Sequence, residues 1–458
     1  MTITAIDALK HHILTLEYDD LPESTVNAAK AFIFDSIGVG LSGSRVKRVE
    51  QVIHAVQLEG EAKQAQVWTT GQWLNSGAAA LVNGYQIHNQ EWDCVHEAAV
   101  VHPMATILSA MMAIGQQYAV SGKQLILGVV VAVDVATLIG QSVTSGLRFF
   151  RPSMCGSLGV AAGICAMLGE SEDVLTNALG ITYSKLSGTM QAHVEGSPTL
   201  ALQIGLNAQS AIQAYNLAKA GFEGPKDILE GPYGYFNLIE ESYDLSPFWH
   251  KLGKEFQIEQ VSHKPFPTGR AGHGTVDGIC QLMKLHAISP NDIVAITVTA
   301  PPLIHRLVGR PAIANMDANY AKLCNGYIAA TAVLTGTVTV EDFSPECLND
   351  SSRLSLANKV TTLVNDVSDP NALAPITVQI KMLDDTVYGI DLPQVLGHPK
   401  RPLSIDAQRA KFISACHSAK YRYSTAQIDK LINGIDQLTH LSNINSLIQL
   451  MINTDSNH

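Results

Sequence analysis

The sequence predicts a mainly α protein: a large all-helical domain made of two separate stretches, with a smaller α+β lid domain inserted between them. Three observations carry this. Apolar residues recur at helical spacing through roughly the first 260 residues. Short β-branched alternations appear only after residue 290, and the pattern turns helical again after Gly397. The resulting boundaries are 1–262 and 396–458 for the helical domain and 263–395 for the lid. With 458 residues, the chain also exceeds the size at which a single core stops growing.

Along the chain, Pro22 and Glu23 open a run in which Val26, Ala29, Ile33, Ile37 and Leu41 keep helical spacing. Gly38, Gly40 and Gly43 are expected to loosen and end it. Pro103 suits the first turn of the helix that begins at Met104. Leu125–Gly140 is apolar but 16 residues long and carries Asp134, whereas a membrane span needs about 20 apolar residues. It reads as a buried core helix. Pro152 and Ser153 precede a helix rich in Gly, Ala, Ser and Cys, whose small side chains let neighbours approach, and Thr199–Ala220 forms another helix. In the lid, Ile293–Thr299 and Ile376–Met382 alternate like strands, and Thr386–Ile390 is a hairpin partner across Asp384 and Asp385. Asn319–Leu334 and Ser352–Val364 read as helices.

Composition narrows the function. A net charge of −11 argues against a nucleic-acid partner, which wants a basic face. Seven cysteines without a CxxC pair or a His/Cys metal spacing read as reduced thiols of an intracellular protein. The first 20 residues include acids and lack the basic-then-apolar order of a signal peptide, so the expected location is the cytoplasm, with no membrane partner. No Gly-rich phosphate loop, GxSxG or dinucleotide fingerprint occurs, which weighs against a nucleotide cofactor.

Four clusters hold chemistry-bearing side chains. His88, Glu91, Asp93, His96, Glu97 and His102 bring three imidazoles and three carboxylates together just before a helix start. Acid/base work on carbon needs such a mixture, although a capping loop with solvated charges has the same composition. Arg148 and Arg151 stand at a helix N-terminus, where a guanidinium fork suits a carboxylate or a plain ion pair. Ser262–His273 is a proline-stiffened basic turn with Lys264, Arg270 and His273, running into a helix whose N-terminus favours anions. It meets a small carboxylate or simply stays solvated. In Lys322–Tyr327, the tyrosine either donates a proton or packs.

With these residues in view, the chain resembles the 2-methylcitrate dehydratase / cis-aconitate decarboxylase family (MmgE/PrpD), which also includes iminodisuccinate epimerase-like proteins. The resemblance rests on Phe34–Gly43, Asn83–His88 followed by Glu91-Trp92-Asp93, His102-Pro103, Pro152 leading to Gly156–Gly159, Lys264–Pro267 and Gly397–Ser404. It implies a helical domain with an α+β lid, a homodimer, and catalysis on small di- and tricarboxylates without metal or organic cofactor. Matched position by position, the family's acidic residue falls on Glu91 with Asp93 next, its histidine before proline on His102, its lid lysine on Lys264 and its lid tyrosine on Tyr327. Arg151 stands where a histidine is frequent, Leu200 and Gln203 where lysine and histidine are frequent, and Gly269 where the decarboxylases have a histidine.

The expected activity is therefore a cofactor-independent lyase that removes a proton alpha to a carboxylate and then eliminates. His102 or Lys264 is the base and Tyr327 the acid, with Glu91 and Asp93 beside them. Arg151, Arg270, His88, Gln203 and His273 hold the substrate. An epimerase using the same acid/base pair, or a non-catalytic binder on the same fold, is the alternative.

Overall fold

The computed structural model describes residues 3–58, 60 and 62–453. Helices α1 (Ala5–Thr15), α2 (Glu23–Gly43) and α3 (Arg48–Gln57) precede a short antiparallel ribbon of β1 (Ala65–Gln66) and β2 (Trp73–Leu74). Seven helices follow: α4 (Ser76–His88), α5 (Pro103–Tyr118), α6 (Gly122–Gln141), α7 (Arg151–Leu168), α8 (Glu172–Tyr183), α9 (Gln191–Glu195) and α10 (Thr199–Lys219). Their starts follow from the sequence. Asn75 and Ser121 accept hydrogen bonds from Ala78 and Gln124 N–H groups, and Pro103 and Pro152 occupy first turns where no N–H is needed.

Helices α4, α5, α7 and α10 pack against one another, and α6 lies along α7. The small-residue face of α7 makes this approach close: a methyl at Gly163 would lie 2.8 Å from Cβ of Ala132 on α6. α6 and α7 are long and apolar enough to cross a membrane, yet 83% and 89% of their apolar stretches are buried within the protein. The reading of residues 125–140 as a core helix agrees with this. α2, by contrast, does not loosen at Gly38 and Gly40. It runs unbroken to Gly43, and the two glycines admit the rings of Phe412 and Trp68, which would lie 2.7 and 2.6 Å from added methyl groups.

Short helices α11 (Tyr235–Leu238) and α12 (Ser246–Lys251) bring the chain to Ser262, which exchanges backbone hydrogen bonds of 2.7 and 3.0 Å with Val95. Next, α13 (His273–Leu285) packs on a four-stranded sheet of order β4-β3-β5-β6. Its strands are β3 (Ile293–Ala300), β4 (Val360–Val364), β5 (Ile376–Met382) and β6 (Val387–Leu392), with β3 parallel to β4 and antiparallel to β5. The hairpin at Asp384-Asp385 forms as expected, with Asp385 at φ +63°.

Helices α14 (Pro302–Val308), α15 (Ala318–Ala321), α16 (Asn325–Thr335), α17 (Pro345–Leu348) and α18 (Ser351–Ala357) lie between β3 and β4. Two expected helices are corrected here. Residues 352–364 split, because the β-branched run Val360-Thr-Thr fits a pleated edge better than a helix and pairs with β3. The helix over 319–334 breaks at Cys324, whose extended backbone starts α16 afresh. Finally, α19 (Ile405–His417), α20 (Thr425–Asp436) and α21 (Asn445–Leu450) close the chain, with α19 and α20 packed on α2. Lys411 of α19 reaches Asp35 of α2 at 2.6 Å and the carbonyl of Trp92 at 3.0 Å.

Candidate active site

α4 ends at His88 and α5 begins at Pro103; the connection between them is largely buried, with Ala98 exposed and Glu97 and His102 partly so, which is unusual for a loop rich in charge. Glu91 and Val100 in this connection have φ of +55° and +52°, a left-handed backbone that costs non-glycine residues energy. The surrounding bonds impose it: Glu91 N–H donates to His88 O at 2.9 Å, and Val100 N–H to Glu97 O at 3.0 Å. Both residues line the same cavity.

The connection assembles a compact charged cluster. His88 Nδ1 lies 3.0 Å from both oxygens of Asp93. His102 Nδ1 lies 3.1 Å from the carbonyl of Cys94 and 3.5 Å from Asp93 Oδ2. The two rings meet edge to face with centroids 5.1 Å apart. Lys264 is fully buried and donates to Glu91 Oε2 at 3.2 Å and Glu91 O at 3.0 Å, with Asp93 Oδ1 at 3.9 Å. Trp92 Nε1 donates to Pro265 O at 3.3 Å and so fastens the lysine turn to the loop. His88, Asp93 and His102 offer ligand atoms within 4.8 Å of one another, a spacing a cation could use. The Lys264 ammonium already supplies positive charge beside Asp93, however, and both Nδ1 atoms face oxygen partners.

This cluster separates the two imidazoles electrically. Burial opposes charge on His88, but Asp93 and Glu91 together outweigh it and hold its pKa above the usual imidazole value. Burial and then the Lys264 charge push His102 below that value. Burial also works against ionised Glu91 and Asp93, yet Lys264, His88 and His102 prevail. Asp93 falls well below 3.8, and Glu91 falls to about 2. A carboxyl whose folded-state pKa is depressed stabilises the fold above its unfolded value of 4.5 and loses that contribution as pH falls toward 2. The contribution is on the order of 3 kcal/mol. Urea-unfolding free energies measured from pH 5 to pH 2 are expected to fall, and the fall should be shallower in Glu91→Gln; parallel curves would remove Glu91 from this account.

A cavity opens beside the cluster. Its polar wall is His88, Glu91, His102, His193 and Arg270, and most of the remainder is aliphatic or aromatic. His193 comes from α9, a short helix held between Gly188 and Gly196, both at positive φ. Arg310 Nη2 donates to His193 O at 2.9 Å and lies 3.2 Å from His193 Nδ1. A guanidinium can only donate, so Nδ1 must accept and the neutral ring carries its proton on Nε2. Burial and then Arg310 press the His193 pKa down to about 4, so the ring is an uncharged donor at neutral pH. Lys322, between α15 and α16, donates to Asn89 O at 3.0 Å, and burial lowers its pKa to about 8.

The expected site residues divide. His88, Glu91, Asp93, His102 and Lys264 come together, and Arg270 joins the wall with its N–H groups turned to Glu97 and backbone carbonyls. Tyr327, expected as an acid, donates at 2.5 Å to Asp342 O and lies outside the cavity wall. Asp342 belongs to the 3-10 turn Val340–Phe343 just before α17. Gln203 bonds both backbone groups of Thr189, at 2.7 and 3.3 Å. His273 pairs with Thr268 O at 3.1 Å behind the wall.

Arg151, expected to hold a carboxylate, is sealed. It donates to the carbonyls of Ala99 and Ser145 at 3.3 and 3.4 Å, with Glu240 3.6 Å from Nε. Arg151→Lys is therefore expected to cost about 1–3 kcal/mol of stability through unpaired carbonyls and to leave ligand affinity unchanged. Denaturation and calorimetric titration on the same preparation decide this, and a weakened ligand at unchanged stability would reinstate Arg151 as a binder.

His193, Phe150, Met190 and Leu373 in the wall were not anticipated. A lone histidine on a five-residue helix carries no spacing signal, and only its neighbouring glycines mark a constrained turn.

A buried carboxylate shared by two imidazoles thus stands behind a cavity that both imidazoles line. The MmgE/PrpD N-terminal domain matches residues 7–247 and the MmgE/PrpD C-terminal domain matches residues 266–433, and the chain belongs to the MmgE/PrpD family. It is 26% identical to cis-aconitate decarboxylase of Mus musculus over 458 residues, covering 95% of this chain and 91% of the relative. It is 25% identical to cis-aconitate decarboxylase of Aspergillus terreus, covering 96% and 94%. It is 24% identical to the cis-aconitate decarboxylase-like protein oryM of Aspergillus oryzae, covering 96% and 95%.

Proposed function

We propose that the protein is a lyase acting on a small carboxylate, with its own imidazoles as base and acid. The observation that carries this is the His88–Asp93–His102 arrangement, in which one environment pushes two neighbouring imidazoles in opposite directions. His102, neutral and with Nδ1–H directed at Cys94 O, keeps a lone pair on Nε2 to take the proton alpha to the carboxylate. The C–H electron pair enters an enediolate, toward which His193 donates its Nε2–H. As the pair re-forms the carboxylate and a C=C bond, the β C–O bond breaks and His88 protonates the departing hydroxyl. In the decarboxylating variant, the C–C bond to a carboxylate breaks instead and the acid protonates the resulting carbanion. Kinship with the cis-aconitate decarboxylases at 24–26% identity supports the lyase class.

Incubation in heavy water with cis-aconitate and a panel of small hydroxy acids, followed by proton NMR, tests the reading. Alkene formation or loss of carbon dioxide is expected. Exchange of the alpha proton without elimination would identify an epimerase, and inertness toward the whole panel would sink the enzymatic reading.

The rate should follow a bell. It rises with pH as His102 loses its proton, at a value below 6.5, and falls as His88 loses its proton, at a value above 6.5. A monotonic profile of kcat/KM would rule out this pairing.

A further inference from the structure

Three cations beside the cavity, Arg270, Arg151 and Lys264, are already matched by the protein's own anions. Arg270 uses all five N–H groups: Nε and Nη2 on Glu97 at 3.1 and 2.7 Å, Nη1 on the carbonyls of His263 and Leu396, and Nη2 also on that of Val395. Arg151 faces Glu240, and Lys264 with protonated His88 faces Glu91 and Asp93. Each group sums to zero charge. Arg310 and Lys322, which bond His193 and the carbonyl of Asn89 rather than carboxylates, are left to meet a ligand's charge, so a third carboxylate would enter the site without a counter-ion, which is unfavourable. Close to the cavity, Arg310 Nη1 is buried and has no hydrogen-bond partner among the described residues. Away from this polar edge, the wall consists of Val100, Leu147, Phe150, Met190, Leu200 and Leu373.

We infer that the cavity takes an alkyl-substituted small carboxylate, with its anionic end at the His193–Arg310 side and its hydrocarbon arm against Phe150, Met190, Leu200 and Leu373, in preference to a tricarboxylate. The inference rests on the proposed lyase site for its location and names the substrate class of that site. Each methylene buried against this wall strengthens binding by about fourfold. A third carboxylate brings no compensating contact.

Calorimetric titration of the full chain with succinate, butylsuccinate and tricarballylate tests this without turnover, because all three acids are saturated and carry no leaving group. Butylsuccinate is expected to bind at least tenfold more tightly than succinate, and tricarballylate more weakly than either. Leu200→Lys should reverse the order of butylsuccinate and tricarballylate. Leu373→Gln, a milder change should the first variant not fold, should weaken butylsuccinate alone. Tricarballylate binding as tightly as butylsuccinate would overturn the inference, as would an affinity order unmoved by both variants or a folded wild type that binds none of the three. The predicted order with no turnover in the heavy-water experiment would instead remove the lyase reading and leave the ligand class standing.

Discussion

His102→Gln is expected to lower turnover by roughly a hundredfold or more while leaving the fold in place. The amide keeps a donor for Cys94 O, now 3.1 Å from the imidazole, but has no lone pair basic enough to accept a carbon-bound proton. Structural damage should be small because the ring is not locked into the core; its side chain is 15% exposed, against 1% for His88. Turnover is to be measured on whichever acid of the heavy-water panel reacts, together with a thermal melt. Near-normal turnover at an unchanged melting temperature would exclude His102 as base and pass that role to Lys264 or Glu91.

The largest effect on stability should come from Lys264→Met. The methionine fills nearly the same volume but leaves Glu91 and Asp93, both buried, facing His88 and His102 alone. Breaking a buried ion pair by removing one partner costs about 3–5 kcal/mol, because the remaining charge stays desolvated. Adding Glu91→Gln to the lysine variant should recover part of this loss, since the two residues touch and their effects are not additive. Denaturant titrations of the four proteins give the coupling directly. A loss below about 1 kcal/mol for Lys264→Met would mean that water takes over the role of the ammonium.

The helical character of the chain was legible because its signals are local. Pro103, Pro152 and the apolar spacing of residues 125–140 each act within a turn or two of their own position. The split of residues 352–364 was not legible, because whether Val360–Val364 becomes a strand depends on β3, some 60 residues earlier, offering an edge. The same division runs through the site. His88, Glu91, Asp93 and His102 are close in sequence and read as a cluster, and Lys264 stood out in its proline-stiffened basic turn as well as through the family resemblance. His193 was missed because its role is set by Arg310, 117 positions away. Arg151 and Arg270 were read as free forks because a sequence shows a cation but not the carbonyls and carboxylates that already occupy it. Tyr327 was read as an acid because a sequence does not show that its hydroxyl already donates to Asp342 O.

Lys411 connects the site to the order in which the chain is synthesised. Its ammonium holds the carbonyl of Trp92, between Glu91 and Asp93, and anchors on Asp35. The loop that carries the two carboxylates is thus braced by a residue translated more than 300 positions after it. At ribosomal speeds of about 5–20 residues per second, roughly 15–60 s separate the two. Throughout that interval a nascent chain already holds His88, His102 and later Lys264 without the strut that fixes the loop between them. A polypeptide cut short before α19 would retain every side chain named in the cavity wall, yet release Trp92 and leave the Asp35 carboxylate unpaired in the core. Activity should therefore appear only once α19 has been made and has docked on α2, and a message truncated before it should yield a product for degradation rather than a weakened enzyme.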